Sequence, residues 1–248
     1  MKYIILCLVL TVTGGMMQSF AQEIELPQRR NIIKADLTSN FYYTKAFVLS
    51  YERVMKPYQT MVIHAGVQQF QPFSSFGDSI VVTDEKSASG IKLGFDYRFY
   101  LQKENKYSAP RGVYIGPYIS YLNFQNKRAL EVTNNGIPEV ADLNSRLNII
   151  NIGFQMGYQF VIKDRWTIDM VFMGPSVSNY RLNMDLTGNF NFDTEDVQND
   201  YIKVLIDKFP AFEDLINEKS TSSNGKVSSW SYGYRYQLQV GYRFGKKK

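Results

Sequence analysis

Cysteine and histidine are almost missing from this chain of 248 residues, which has one of each, Cys7 and His64. Cys7 lies in a stretch with the form of an export leader: Lys2 gives a basic start, residues 4–12 are apolar, and Ser19-Phe20-Ala21 ends it small-x-small before Gln22. With residues 1–21 read as a signal peptide, residues 22–248 form one domain without cysteine, which excludes disulfides, thiolate catalysis and cysteine metal sites. Long apolar runs are lacking as well, and none approaches the ~20 residues a membrane helix needs. Charge of one sign is not concentrated either. The net +5 is spread over single basic residues, with one cluster, Lys246-Lys247-Lys248, that reads as a solvated tail and not as a nucleic-acid site. A lone histidine supplies no metal-ligand pair, and Asp193, Glu195, Asp196 and Asp200 lack the spacing and glycine of a calcium loop. Without a glycine-rich phosphate loop as well, the sequence calls for no cofactor.

What the chain does have is alternation. From Trp230 every second residue is Trp230, Tyr232, Tyr234, Tyr236, Leu238, Val240, Tyr242 and Phe244, while Gly233, Arg235, Gln237, Gln239, Gly241 and Arg243 lie between. A strand with one apolar, aromatic face and one polar face fits a membrane barrel, whose apolar face meets lipid and whose polar face meets a lumen. The same period of two recurs over residues 31–38, 45–55, 60–70, 90–102, 112–124, 147–162 and from 166 onwards, where Gly174-Pro175 predicts a bulge or lapse of pairing. Eight strands result, predicting an all-β, eight-stranded antiparallel up-and-down transmembrane barrel.

The connections support this reading. Those after the second, fourth and sixth strands are short, at 56–59, 103–111 and 163–165, whereas 71–89, 125–146 and 183–227 are long. Outer-membrane barrels have short periplasmic turns, long extracellular loops and an even strand number, which puts both termini in the periplasm. Tyr51, Phe99, Tyr158, Phe160, Trp166, Tyr242 and Phe244 then fall near the inner interface, and Tyr121, Tyr180, Trp230 and Tyr232 near the outer one, as two aromatic girdles. The last loop alone has helical character, about residues 193–220. Its stripe of Val197, Tyr201, Leu205, Phe212, Leu215 and Ile216 either caps the barrel mouth or forms a candidate partner surface.

Asn31-Ile32-Ile33-Lys34-Ala35-Asp36, Leu49-Ser50-Tyr51-Glu52-Arg53, Tyr114-Ile115-Gly116-Pro117-Tyr118 and the ending Gly241-Tyr242-Arg243-Phe244 with its basic tail carry a resemblance. In these pieces the chain resembles the small outer-membrane β-barrel proteins of the Bacteroidota type, mostly classed as domains of unknown function, and it is similar in architecture to OmpA- and OmpX-like barrels. The resemblance implies an integral protein of a Gram-negative outer membrane, in contact with lipid and lipopolysaccharide. It also implies a final strand read by the barrel-insertion machinery.

By alternation Lys34, Asp36, Glu52, His64, Lys92, Asp96, Arg98, Asp169, Arg235 and Arg243 point into the lumen. Eight strands leave only enough room for side chains, and a lone buried ion costs several kcal/mol. These charges should therefore pair as a salt-bridge plug, with Lys34, Glu52 and Arg243 meeting near the periplasmic end. Three functions remain open: a non-enzymatic structural or interaction barrel whose outer loops meet partners or lipopolysaccharide, a narrow pore for small solutes or ions, and a lipid A-modifying enzyme. The sequence favours the first. His64 could be oriented by Asp36 or Asp96 as a general base, but no nucleophile motif accompanies it, and no catalytic residue is assigned.

Overall fold

The structure, a computed structural model, describes residues 29–69, 75–76, 80–134, 137–188 and 226–245. Its strands are β1 (Asn31–Asp36), β2 (Thr44–Lys56), β3 (Gln59–Gln69), the two-residue β4 (Ser75–Phe76), β5 (Ile80–Tyr100), β6 (Gly112–Asn134), β7 (Ile137–Ile162), β8 (Trp166–Met173), β9 (Pro175–Gly188), β10 (Lys226–Tyr234) and β11 (Gln237–Phe244). The one described helix, α1 (Ser39–Tyr42), is a single turn between β1 and β2. No helix among the described residues is long and apolar enough to cross a membrane. The proposed helical insert at 193–220 lies outside the described residues, as does the leader.

Antiparallel ladders run β1–β2–β3–β5–β6–β7–β8–β11 and return to β1, so eight strands close a ring. β9 and β10 continue β8 and β11 upward, pairing with β7 and with each other. The two interruptions face one another: the Gly174 carbonyl accepts the backbone N–H of Arg235 at 2.8 Å and the Tyr118 hydroxyl at 2.8 Å. Pro175, which has no N–H for the ladder, accounts for the first break. The second was not legible in the sequence, because side-chain alternation passes through Arg235 without a slip.

The tall side of the ring differs from the sequence expectation. Residues 80–89 extend β5, and residues 125–134 and 137–146 extend β6 and β7 into one long hairpin, where loops were expected. At the opposite end, Lys163 and Asp164 take left-handed conformations, with φ of 48° and 60°, and close the tight β7–β8 hairpin.

Burial is inverted relative to a water-soluble protein. Ile63, Phe95, Ile119 and Ile152 are cross-strand neighbours on the outer face and are each 41–55% exposed. Inside, Lys34, Glu52, Asp96, Arg98 and Asp169 are exposed by 1% or less. Trp166, Phe160, Phe99, Phe244, Trp230 and Tyr232 are exposed on the outer face, while Tyr51, Tyr158 and Tyr242 are partly covered; Tyr180, expected in the outer girdle, is instead buried.

Candidate functional site

The interior is organised in layers of charge. In the lowest, Lys34 on β1 meets Glu52 on β2 at 2.6 Å and Asp169 on β8 at 2.5 Å. Arg98 on β5 reaches the same Asp169 at 2.6 Å, and the Tyr114 hydroxyl donates to its other oxygen at 2.6 Å. Gln159 accepts from Lys34 at 2.9 Å, and the Arg98 guanidinium lies over the Tyr114 ring, 4.3 Å from its centre. Tyr100 and Tyr114 pack with Val54, Ala109 and Val171 just below. These buried, mutually bonded groups close the lumen in the way a narrow ring requires.

Arg243 is not in this layer, contrary to the expected Lys34–Glu52–Arg243 group. It binds Asp164 in the β7–β8 turn at 2.8 Å and the carbonyl of Arg29 at 3.0 Å. The turn projects Asp164 beneath the ring, where it intercepts Arg243 and also Arg29. Sequence alternation gave the inward direction of Arg243 but not its height relative to that turn.

The second layer centres on Asp96. Its two oxygens accept from Arg235 at 2.8 and 3.2 Å, from Arg98 at 3.2 Å and from His64 at 2.9 Å. The other ring nitrogen of His64 lies 2.7 Å from the Ser50 hydroxyl, which also accepts from Gln239 at 2.6 Å. Serine, histidine and aspartate are thus in line, an arrangement that also builds nucleophilic sites. Here Ser50 is 2% exposed and does not border the cavity above, so a substrate carbonyl has no approach to its hydroxyl. The trio holds strands together, and nothing in its geometry supports acyl transfer.

Asp36 anchors the third layer. One oxygen accepts the backbone N–H groups of Thr38 and Ser39 at 3.0 and 3.3 Å. The other accepts from Ser39 Oγ at 2.8 Å, Gln237 at 2.9 Å and Lys92 at 3.0 Å. This carboxylate fixes the turn that starts α1. Above the second and third layers is a cavity of about 350 Å³, bordered by Lys92, Arg235, His64 and Asp36 and walled by Tyr42, Tyr43, Tyr118, Tyr180, Tyr234 and Tyr236. A cavity of this size with charged and aromatic lining suits a small ligand.

Of the sequence-chosen interior residues, Lys34, Glu52, Arg98 and Asp169 form the plug, His64, Asp96 and Arg235 the second layer, Asp36 and Lys92 the third, and Arg243 the rim. Sequence reasoning missed Ser39 and Tyr42, which reach the cavity from a one-turn helix too short to leave a periodic signal, and Tyr43 just after it. It also missed Gln159, Gln237 and Gln239, whose inward alternation was visible but whose bonding was not. Among the described residues, no group of three or more acidic or histidine side chains is arranged to hold a metal ion.

No curated protein matches the chain. Among solved structures, a major outer membrane protein from Thermus thermophilus is similar over 87% of this chain and 98% of that one, with 10% identity and a TM-score of 0.38. That score is too low for the likeness to bear on fold or function. The family model described as "Protein of unknown function (DUF3575)" matches residues 5–181, most of the chain. On that match, the chain belongs to the DUF3575 family.

Proposed function

We propose that this protein is an integral, non-enzymatic outer-membrane β-barrel with both termini in the periplasm, acting as a structural or interaction protein through its outer surface. The inverted burial carries the reading. A closed ring with Ile63, Phe95, Ile119 and Ile152 facing out and Lys34, Glu52, Asp96, Arg98 and Asp169 enclosed suits hydrocarbon outside and a polar packed lumen inside. Where the eight ladders close, they also satisfy the backbone groups that an open sheet would expose to lipid.

Lipopolysaccharide or a surface protein is the proposed partner of the tall β5–β6–β7 side, which rises beyond the ring. The Lys34–Asp169–Arg98 plug favours a closed lumen over a conducting one, and the enclosed Ser50 weighs against a hydrolase. The test is to refold the mature chain into detergent and into lipid vesicles. A barrel migrates faster unheated than boiled on a gel, shows β-type circular dichroism, and with this plug conducts no more than bare bilayer. A monomer that stays soluble without detergent would sink the proposal. Gentle detergent extraction from the native membrane, with mass spectrometry of what co-elutes, tests the interaction role: a stoichiometric partner or bound lipopolysaccharide supports it, and elution alone removes it.

A further inference from the structure

Of the charged partners at the cavity above the second layer, the cations keep the exposed surface. Lys92 and Arg235 keep 17% and 14% of their side-chain surface exposed, whereas their carboxylate partners Asp36 and Asp96 keep 1% and 0%. Each carboxylate is already bonded to several donors, so a cation entering the cavity meets only neutral oxygens such as those of Ser39, Ser120 and Asn151, while an anion meets the partly exposed ammonium of Lys92 and guanidinium of Arg235. Such charge-assisted bonds are among the stronger polar contacts a site can offer. The volume, about 350 Å³, is at the small end of the range for ligand pockets.

One side of the cavity lies against a gap in the ladders. The β1–β11 ladder ends at Asp36↔Gln239 and the β1–β2 ladder at Ala35↔Leu49. Above those points α1 takes the wall position that a longer β1 would have filled, opposite the break between β10 and β11. Tyr42, Tyr234 and Tyr236 border the cavity and are also 67%, 52% and 58% exposed. These residues therefore lie where the cavity meets the exposed surface of the protein. Among the described residues, this is where the ring wall is carried by side chains and a single helical turn instead of a ladder.

We infer that the cavity binds an anionic amphiphile, its carboxylate or phosphate held by Lys92 and Arg235 and its apolar chain leaving through the Tyr42–Tyr234–Tyr236 seam toward the membrane. The inference rests on the barrel reading above for the presence of lipid at that seam. Head and chain make separable demands. A short anion lacks the chain that the seam accommodates, and a neutral alcohol lacks the charge that the two cations answer.

The full mature protein in nanodiscs of zwitterionic lipid is titrated by calorimetry with octanoate, acetate and octanol, empty nanodiscs being subtracted. Saturable octanoate binding at one site per protein, at least tenfold tighter than acetate or octanol, is expected. Equal binding of acetate would mean that a soluble anion is the ligand and would overturn the amphiphile. Equal binding of octanol would overturn the role of the cations. Lys92→Gln should weaken octanoate tenfold or more, and Asp36 keeps its Ser39, Gln237 and backbone donors in that variant. Asp36→Asn, which frees Lys92, should instead tighten octanoate several-fold, so the two variants test the site with opposite signs even if one folds poorly. Unchanged affinity in both would refute the site. Failure of the chain to enter nanodiscs as a heat-modifiable species would count against the barrel reading, whereas insertion without binding counts against this inference alone.

Discussion

Asp169→Asn is the substitution that most strains the interior. Asp169 is 1% exposed and accepts from Lys34 at 2.5 Å, Arg98 at 2.6 Å and Tyr114 at 2.6 Å. An asparagine keeps one acceptor oxygen but removes the charge that both cations neutralise, leaving Lys34 with Glu52 and Arg98 with Asp96 at 3.2 Å. Breaking a buried pair costs about 3–5 kcal/mol, since an uncompensated charge stays buried, against a typical total stability of about 5–15 kcal/mol. Urea unfolding of the protein in lipid vesicles, followed by tryptophan emission and by the unheated gel band, should therefore show a loss of about 3–5 kcal/mol. Lys86→Gln is the control. Its pair with Asp142 spans 2.6 Å but is 46% and 48% exposed, and such pairs contribute less than about 1 kcal/mol. A loss below about 1 kcal/mol for Asp169→Asn, equal to that control, would refute a stabilising role for the plug.

Ile119→Arg places a charge on the outer face, where Ile119 is 45% exposed; in vesicles it should cost about 2–4 kcal/mol, the midplane value for a lipid-facing cation, and a neutral result would argue that this face meets water. Gly157→Ala crowds the Tyr114 hydroxyl and the Met170 carbonyl, so a loss of about 1–3 kcal/mol is expected from overpacking, read in the same unfolding assay. Arg243→Gln, which removes the bond at 2.8 Å to an Asp164 side chain that is 60% exposed, should cost less than Asp169→Asn, and a larger cost would mean that the rim and not the plug holds the ring closed.

Much of the fold was readable because a wall with one apolar and one polar face writes its pattern into every second residue. The run from Trp230 to Phe244 specified one face before any pairing was known, and Pro175 marked its own break. The extensions of β5, β6 and β7 were not readable, since residues such as Thr83, Asp84, Glu85 and Lys86 are polar on both faces and leave no alternation. The inward set of charges followed from alternation, but their partners depend on how far each strand is staggered around the ring. Lys34 and Glu52 lie side by side on neighbouring strands, so their meeting was legible. Asp169 as the shared anion of Lys34 and Arg98 was not, because Arg98 crosses the lumen to reach it. The cavity was hidden for a similar reason: its Ser39 and Tyr42 come from a turn that no period announces.

Side-chain direction along neighbouring strands tests the central claim most directly, and the absence of cysteine after Cys7 makes it practical. Single cysteines at Ile119, Ser120, Asn151 and Ile152 are labelled with a small fluorophore in vesicles containing a lipid-chain nitroxide quencher. Ser120 and Asn151 border the cavity and leave room for the label, while Ile119 and Ile152 are on the exposed outer face. The account predicts strong quenching at Ile119 and Ile152 and weak quenching at Ser120 and Asn151; uniform quenching, or the reverse order, would contradict it.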